Sequence, residues 1–155
     1  MKLRGSTPPL NVVTVVLPRE GEDLVFKFKA VLDIKRFEDL CPEPKLSTVI
    51  SVIDGTKKPD PTDPTNAEKT EKHNGLRIAY MFLHSITATE GLEWETVNID
   101  DPTTWENYKQ ELLDSNISLP ELGHLITAML EANGLSEEKM VEARNRFLTQ
   151  KASGQ

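Results

Sequence analysis

The chain has 155 residues, 37% of them hydrophobic, and a formal net charge of −7, which suits one compact domain or two small modules and excludes a fully disordered chain. An acidic protein is a poor general binder of nucleic acid, because such a binder needs a basic face to displace counterions from phosphates. A single cysteine, Cys41, excludes an internal disulfide framework, and no apolar run reaches the roughly 18 residues that span a bilayer, so we expect a cytoplasmic protein with no membrane partner.

Residues 1–54 are predicted to form a small antiparallel β module. Residues 11–17 are rich in β-branched side chains, and residues 24–29 alternate apolar with polar side chains, as strands do. A turn around Gly21 would join them as a hairpin. Because two strands alone are marginal in water, we expect a third strand at residues 47–53. A short helix over residues 33–40, with Asp33 as its N-cap, is predicted between them.

Residues 55–66 are predicted to be a linker, because they contain three prolines and no large apolar side chain. This linker would separate the β module from a helical module at residues 67–155. The expected fold class is therefore α+β, with a hairpin and a third strand followed by a bundle of about four helices.

Four helices are predicted in the second module. The first, over residues 67–89, is apolar on most sides and should be buried. The second begins at Asp101 or at Thr103. The third begins with the capping-box sequence S-L-P-E at residues 118–121 and ends at an Asn-Gly pair at residues 133–134. The last begins at Ser136, and its inner face is predicted to hold Met140, Ala143, Arg144 and Phe147.

Most of the negative charge lies in residues 90–111, which carry seven acidic groups and one lysine, a local charge of −6. The segment is an acidic connector that could hold a short strand at residues 92–99. We predict that Trp94 and Trp105 pack inward and that the carboxylates point to solvent. An alternative is a hard cation bound by oxygen ligands, as in a metal-dependent enzyme, with the candidate ligands Glu95, Asp100 and Asp101.

The sequence otherwise offers little catalytic chemistry. The histidines His73, His84 and His124 are never spaced as a pair of ligands on one helix, and Cys41 has no nearby histidine to act as its base. Glycine loops that cradle phosphates are missing from the sequence. Asp101 is also explained as a helix N-cap. The residues alone therefore single out no catalytic residue, no cofactor site and no metal site.

The remaining candidate site is a surface for a protein partner. Methionines on helices rich in Leu and Phe can form an adaptable groove for an apolar helix, since thioether side chains repack easily. The alternative interpretation is that these side chains form an ordinary core. The candidate partner-binding residues are Met81, Met129, Met140, Leu122, Leu125 and Trp94.

Several motifs resemble those of the tail assembly chaperones of tailed bacteriophages of the siphophage type. They are V-L-P-R at residues 16–19, F-E-D-L-C-P-E-P-K at 37–45, A-T-E-G-L-E-W-E-T-V at 88–97, D-P-T-T-W at 101–105 and E-A-R-N-R-F-L at 142–148. Together they cover nearly the whole chain, and the segment at 88–97 is the most specific.

The resemblance implies a non-enzymatic role in virion assembly in the host cytoplasm. Such chaperones coat the long, apolar, helical tape-measure protein and keep it soluble until the tail tube polymerises around it. In many phages a longer form, made by ribosomal frameshifting, also recruits the tail-tube protein. The resemblance assigns no individual binding residue, and self-association stays open. A minor virion structural protein, such as a tail or neck adaptor, is the alternative.

Overall fold

A computed structural model describes residues 1–154 of the chain. Within this range it contains two antiparallel hairpins and five α-helices, which confirms the predicted α+β class. Single 3₁₀ turns follow the second helix, at Ile86–Ala88, and precede the third, at Pro102–Thr104. In chain order the elements are β1 (Val12–Leu17), β2 (Leu24–Lys29), α1 (Lys35–Leu40), β3 (Thr48–Ile50), β4 (Lys57–Pro59), α2 (Pro64–Ser85), α3 (Asn107–Asp114), α4 (Leu119–Ala132) and α5 (Glu137–Ala152).

Strands β1 and β2 form the predicted hairpin. Their antiparallel register places Leu17 opposite Leu24 at the end nearest the turn. Phe26 and Phe28 are buried on the inner face, as the alternation of apolar and polar residues predicted. The inner face packs on the helices, which supply the apolar surface that two strands lack on their own.

The predicted third strand exists, but it does not join this hairpin. Strand β3 pairs antiparallel with β4, with Val49 opposite Lys58, and the two form a separate sheet. Strand β4 and the start of α2 fall within residues 55–66, where a linker was predicted. The prediction missed β4 because a strand is held by backbone hydrogen bonds, and its lysines and proline gave no apolar pattern.

One hydrophobic cluster joins the first hairpin to α1, α2, α3 and α4. Its centre is aromatic: the Trp105 ring lies 5.4 Å from Tyr80 and 6.3 Å from Phe37. Nearby, Phe82 stacks on Tyr108 with ring centroids 4.5 Å apart. All five rings are buried. Residues from both predicted modules therefore share one core.

Strand β1 lies along α4 and is held to it at both ends. At one end, Asn11 Nδ2 donates hydrogen bonds of 3.1 Å to the carbonyl oxygens of Glu131 and Ala132. At the other end, the Arg19 guanidinium pairs with both carboxylate oxygens of Glu121, at 2.6 and 2.9 Å. The start of β1 therefore meets the end of α4, and the strand and the helix run antiparallel.

The predicted caps of α4 are confirmed. The Ser118 hydroxyl accepts a hydrogen bond from the Glu121 N–H at 3.3 Å, and the Glu121 carboxylate accepts one from the Ser118 N–H at 2.9 Å. Gly134, at φ +70°, reverses the chain after the helix, a conformation that glycine adopts without strain. Asp101 caps the 3₁₀ turn at Pro102–Thr104 by accepting the Thr103 N–H at 3.1 Å, but helix α3 begins at Asn107, later than either predicted start.

Two local expectations differ from the structure. Helix α1 begins at Lys35, later than predicted, although the Asp33 carboxylate still accepts a hydrogen bond from the Arg36 N–H at 3.1 Å. Within the described chain, residues 92–99 form turns and irregular structure instead of a strand. There the Asn98 N–H donates to the Thr104 hydroxyl at 2.9 Å, a local bond that replaces strand pairing.

Candidate partner-binding surface

The six predicted partner-binding residues do not share one exposed surface. Met140 is 61% exposed on α5, whereas Met81 and Trp94 are half-buried against the core. Helix α4 packs its apolar side on the first hairpin, so the methionine of α4 belongs to an ordinary core and not to a groove. The buried residues of α4 are Leu122, Leu125 and Met129.

Helix α5 forms an apolar surface of a different kind. Every side chain of α5 is exposed, so the predicted inner face of Met140, Ala143, Arg144 and Phe147 is wrong. Side chains seven residues apart lie on the same side of a helix. Positions 140 and 147 form one such pair, and positions 141 and 148 form another. Four large apolar residues on that side are 49–61% exposed. We call them the α5 face: Met140, Val141, Phe147 and Leu148.

The charges of α5 stabilise the helix locally and make its second half basic. Glu137 and Glu138 lie in the first turn and Lys151 in the last, which is the favourable arrangement with the helix dipole. Arg144 falls between the two apolar pairs, on the same side of the helix. Residues 143–152 carry three basic side chains and no acidic one. The α5 face therefore suits an apolar helix that also carries acidic groups.

A second exposed apolar patch lies at the turn between β3 and β4. Ile50, Val52 and Ile53 are 69%, 101% and 92% exposed. These residues were predicted to lie in a third strand of the first hairpin's sheet. We call them the β3–β4 tip.

The acidic connector is held in place by hydrogen bonds and by the packing of its tryptophans. Trp105 is buried and its indole N–H donates to the Ile99 carbonyl at 3.1 Å, while Trp94 is half-buried against the core, so the prediction that both tryptophans pack inward is confirmed. The half-buried Glu111 carboxylate accepts hydrogen bonds from the Thr96 N–H and hydroxyl, at 3.2 and 2.8 Å. Burial raises the pKa of Glu111, but these bonds and one from the Glu95 N–H outweigh it and lower the pKa.

Two of the three candidate metal ligands have other partners. Asp100 pairs with Arg36, and Asp101 caps the turn that precedes α3. Among residues 1–154, no group of three or more His, Cys, Asp or Glu side chains is placed to hold a metal ion. These carboxylates contribute to the fold through local hydrogen bonds and an ion pair.

The histidines and the cysteine have structural surroundings. The His84 ring lies 4.1 Å from Tyr80, and the His73 ring lies 5.3 Å from Phe37. Burial, with a smaller contribution from the positive charge of Arg36, lowers the pKa of His84 and so favours its neutral form. Burial also raises the pKa of Cys41, which makes its reactive thiolate scarcer.

Comparison of the chain with known proteins found no matching family model, no matching curated protein and no matching solved structure. Of the helices within residues 1–154, none combines the length and the apolarity that a membrane crossing requires.

The sequence contained a signal for the exposed α5 face that the predictions did not use. In α5, Arg144 interrupts the apolar side, whereas the apolar side of α4 holds no charge between Leu122 and Leu130. A charge in the middle of an apolar stripe is costly to bury and so indicates an exposed helix. Residues 48–53 gave no such signal, because they carry apolar residues in adjacent pairs just as the hairpin strand at residues 12–16 does.

Proposed function

We propose that the protein is a non-enzymatic tail assembly chaperone that binds and solubilises the tape-measure protein in the host cytoplasm. Two independent features support this function. The motifs described above resemble those of siphophage chaperones along nearly the whole chain. The single structural observation that supports it best is α5, an amphipathic helix with an unpartnered apolar side.

The α5 face supplies the chemistry that a coat for an apolar helix needs. An amphipathic helix binds another helix through side chains at spacings of three, four and seven residues, and the α5 face repeats at seven, from position 140 to 147 and from 141 to 148. Met140 and Phe147 give it a flexible and a rigid apolar contact, each 61% exposed. The net charge of −7 keeps a coated partner from aggregating, because like-charged surfaces repel.

In this proposal the chain binds the tape-measure protein without a cofactor or metal. The tail-tube protein is a second candidate partner, because the resemblance implies that a longer form recruits it in many phages. The β3–β4 tip is a second place where an apolar partner segment can bind.

Co-expression with the tape-measure protein tests the proposal. The tape-measure protein should be soluble and co-purify with this chain, and it should precipitate when expressed alone. The negative control is an unrelated aggregation-prone protein expressed with the same chain, which should stay insoluble. If the tape-measure protein stays insoluble, or if it is equally soluble without this chain, the proposal is wrong.

Purified particles provide the second part of the test. A chaperone leaves the tail when the tube polymerises, so the chain should be missing from mature virions. Its retention at a fixed copy number would instead identify a tail or neck adaptor. Quantitative mass spectrometry of purified particles distinguishes the two outcomes.

A further inference from the structure

Strand β1 has an unpaired edge. Ala30 N–H donates to Asn11 O at 3.1 Å, and hydrogen-bonded pairs alternate along an antiparallel ladder. The odd-numbered residues of β1 therefore bond to β2, and Val12, Thr14 and Val16 direct their N–H and C=O groups the other way. On that side they receive no hydrogen bond from any residue between 1 and 154.

This edge lacks the features that usually protect a sheet from pairing with another chain. Edge strands are commonly shielded by a charge, a proline, a bulge or a covering loop. Residues 12–17, V-V-T-V-V-L, contain neither a charge nor a proline, and the strand pairs with β2 without a bulge. A groove of about 640 Å³ runs beside it, bounded on the other side by residues of α4 that include His124, Thr127 and Glu131.

The sequence of β1 is symmetric about Thr14. Reading V-V-T-V-V in either direction gives the same order. A second copy added antiparallel with Thr14 opposite its own counterpart places Val12 opposite Val16 at both ends. These are the residues whose N–H and C=O groups face outward. Each facing pair of this kind can exchange two hydrogen bonds, so the three pairs can form up to six. Pairs of β-branched residues and of threonines are favourable across a ladder.

Helix α4 fits the same two-fold arrangement. It contacts both β1 and β2, and a helix centred over those two strands would lie about one strand spacing, roughly 4.8 Å, from the symmetry axis. Two copies of α4 would then lie about 10 Å apart, which is an ordinary distance for packed helices.

The side chains that face each other between the two helices are also compatible. The bonds of Asn11 and Arg19 to the two ends of α4 place Thr127 about level with Thr14, so small side chains meet at the axis. Glu131 lies near the level of Val12 and His124 near that of Val16. Each Glu131 would therefore face His124 of the second copy, where the imidazole can donate a hydrogen bond to the carboxylate.

We infer that the free edge of β1 is the site at which two copies of this chain join, forming a continuous four-stranded sheet about a two-fold axis. A second copy is favoured over an unrelated extended peptide because the edge is self-complementary. It is also uncharged, so two chains of net charge −7 can meet there without direct repulsion. One strand edge and one helix flank form a small interface, and the dimer should dissociate at low micromolar concentration.

Charge variants at the symmetry axis test the pairing. In Thr14→Lys the two introduced lysines lie opposite each other, and the association constant should fall by about tenfold or more. Thr14→Glu should have the same effect. An equimolar mixture of the two variants should dimerise again, because opposite charges then face each other. The matched control is Val25→Lys, a lysine on the same outer face but on β2, which should dimerise as the unaltered chain does.

Sedimentation velocity over roughly a hundredfold range of concentration measures the mass of each variant. Hydrogen exchange locates the contact: protection of the Val12, Thr14 and Val16 amides should rise with concentration, and it should rise more than that of Val13 and Val15, which already bond to β2 in the monomer. Circular dichroism checks that each variant is folded.

Three results would overturn the inference. They are a chain that stays monomeric throughout, a dimer that survives Thr14→Lys, and exchange rates of the even-numbered amides that do not depend on concentration. The inference does not rest on the proposed function, because purified chain without any partner is sufficient for the test.

Discussion

The α5 face makes a quantitative prediction for partner binding. Replacing Phe147 by Ala removes an aromatic ring from the middle of that face, and Ala favours the helix at least as well as Phe does. The free protein should be almost unaffected, because Phe147 is 61% exposed and α5 packs on nothing through it. Its free energy of unfolding should change by no more than about 0.5 kcal/mol.

The expected loss of affinity follows from the exposed area. A phenylalanine presents roughly 200 Å² to bury, and at 61% exposure about 120 Å² of that remains available to a partner. At about 25 cal/mol per Å², complete burial of this area is worth about 3 kcal/mol. Each 1.4 kcal/mol is about a tenfold change in affinity, so burial of between half and all of this area predicts that Phe147→Ala weakens binding by about 10-fold to 100-fold.

Isothermal titration calorimetry with a soluble helical fragment of the tape-measure protein measures this loss. The matched control is Arg146→Ala, which truncates a long side chain of α5 outside its apolar side. It should leave the affinity within about threefold of the original, since rim charges contribute little. Equal binding by Phe147→Ala and the unaltered chain, or an equal loss in both variants, would refute the assignment of the α5 face.

Two further predictions concern stability. Trp105 is fully buried and donates a hydrogen bond to Ile99, so Trp105→Ala should cost about 3–5 kcal/mol of unfolding free energy in urea titration, and a loss below about 1 kcal/mol would contradict its place in the core. The side-chain hydrogen bond from Arg19, with one from the Ser118 N–H, holds the pKa of Glu121 at about 2 instead of the usual 4.5. The stabilisation from a lowered carboxylate pKa is complete above the unfolded value and is lost as pH falls towards the folded value. Glu121→Gln should therefore make stability fall less steeply between about pH 4.5 and pH 2, and an unchanged slope would count against the ion pair.

Features set by short-range chemistry could be predicted from the sequence. The two ends of α4 follow from its capping box and its Asn-Gly pair, because a cap is formed by residues within one turn of the helix end. The first hairpin follows from the alternation around Phe26 and Phe28 and from a turn at Gly21. The burial of Trp105 follows from its spacing to Tyr108 and Leu112, three and seven residues further along, which places the three side chains on one helical side.

Pairings between distant segments could not be predicted in the same way. Strand β3 looked like a partner for the first hairpin, yet it pairs with β4, whose lysines and proline carry no apolar signal. The choice between two partners depends on the whole topology. The same reason explains why the predicted inner face of α5 proved to be exposed. An apolar stripe requires something to cover it, but its spacing does not say whether the cover is another helix of the chain or a partner.

The candidate site was predictable only in part, for a related reason. Leu122, Leu125 and Met129 have the spacing of a helix-binding groove, but the same spacing serves a core helix, and α4 is the core helix. Of the predicted methionines, only Met140 has a mostly exposed side chain. Val141 beside it is also exposed, but it was not among the predicted partner-binding residues.

The two proposed surfaces use different residues, so their effects can be separated. Phe147→Ala removes a contact to a partner, and Thr14→Lys removes a contact between copies. A long helical partner can be held by both α5 helices of a dimer, in which case the second contact forms at a high effective concentration. Thr14→Lys should then weaken binding to the full tape-measure protein and leave binding to a short single-helix fragment unchanged. Surface plasmon resonance with both ligands immobilised makes the comparison directly. If Thr14→Lys weakened binding to the short and the long ligand equally, the lysine would be disturbing α5 itself. If Thr14→Lys bound both ligands as tightly as the unaltered chain does, the chain would act on its partner as a monomer.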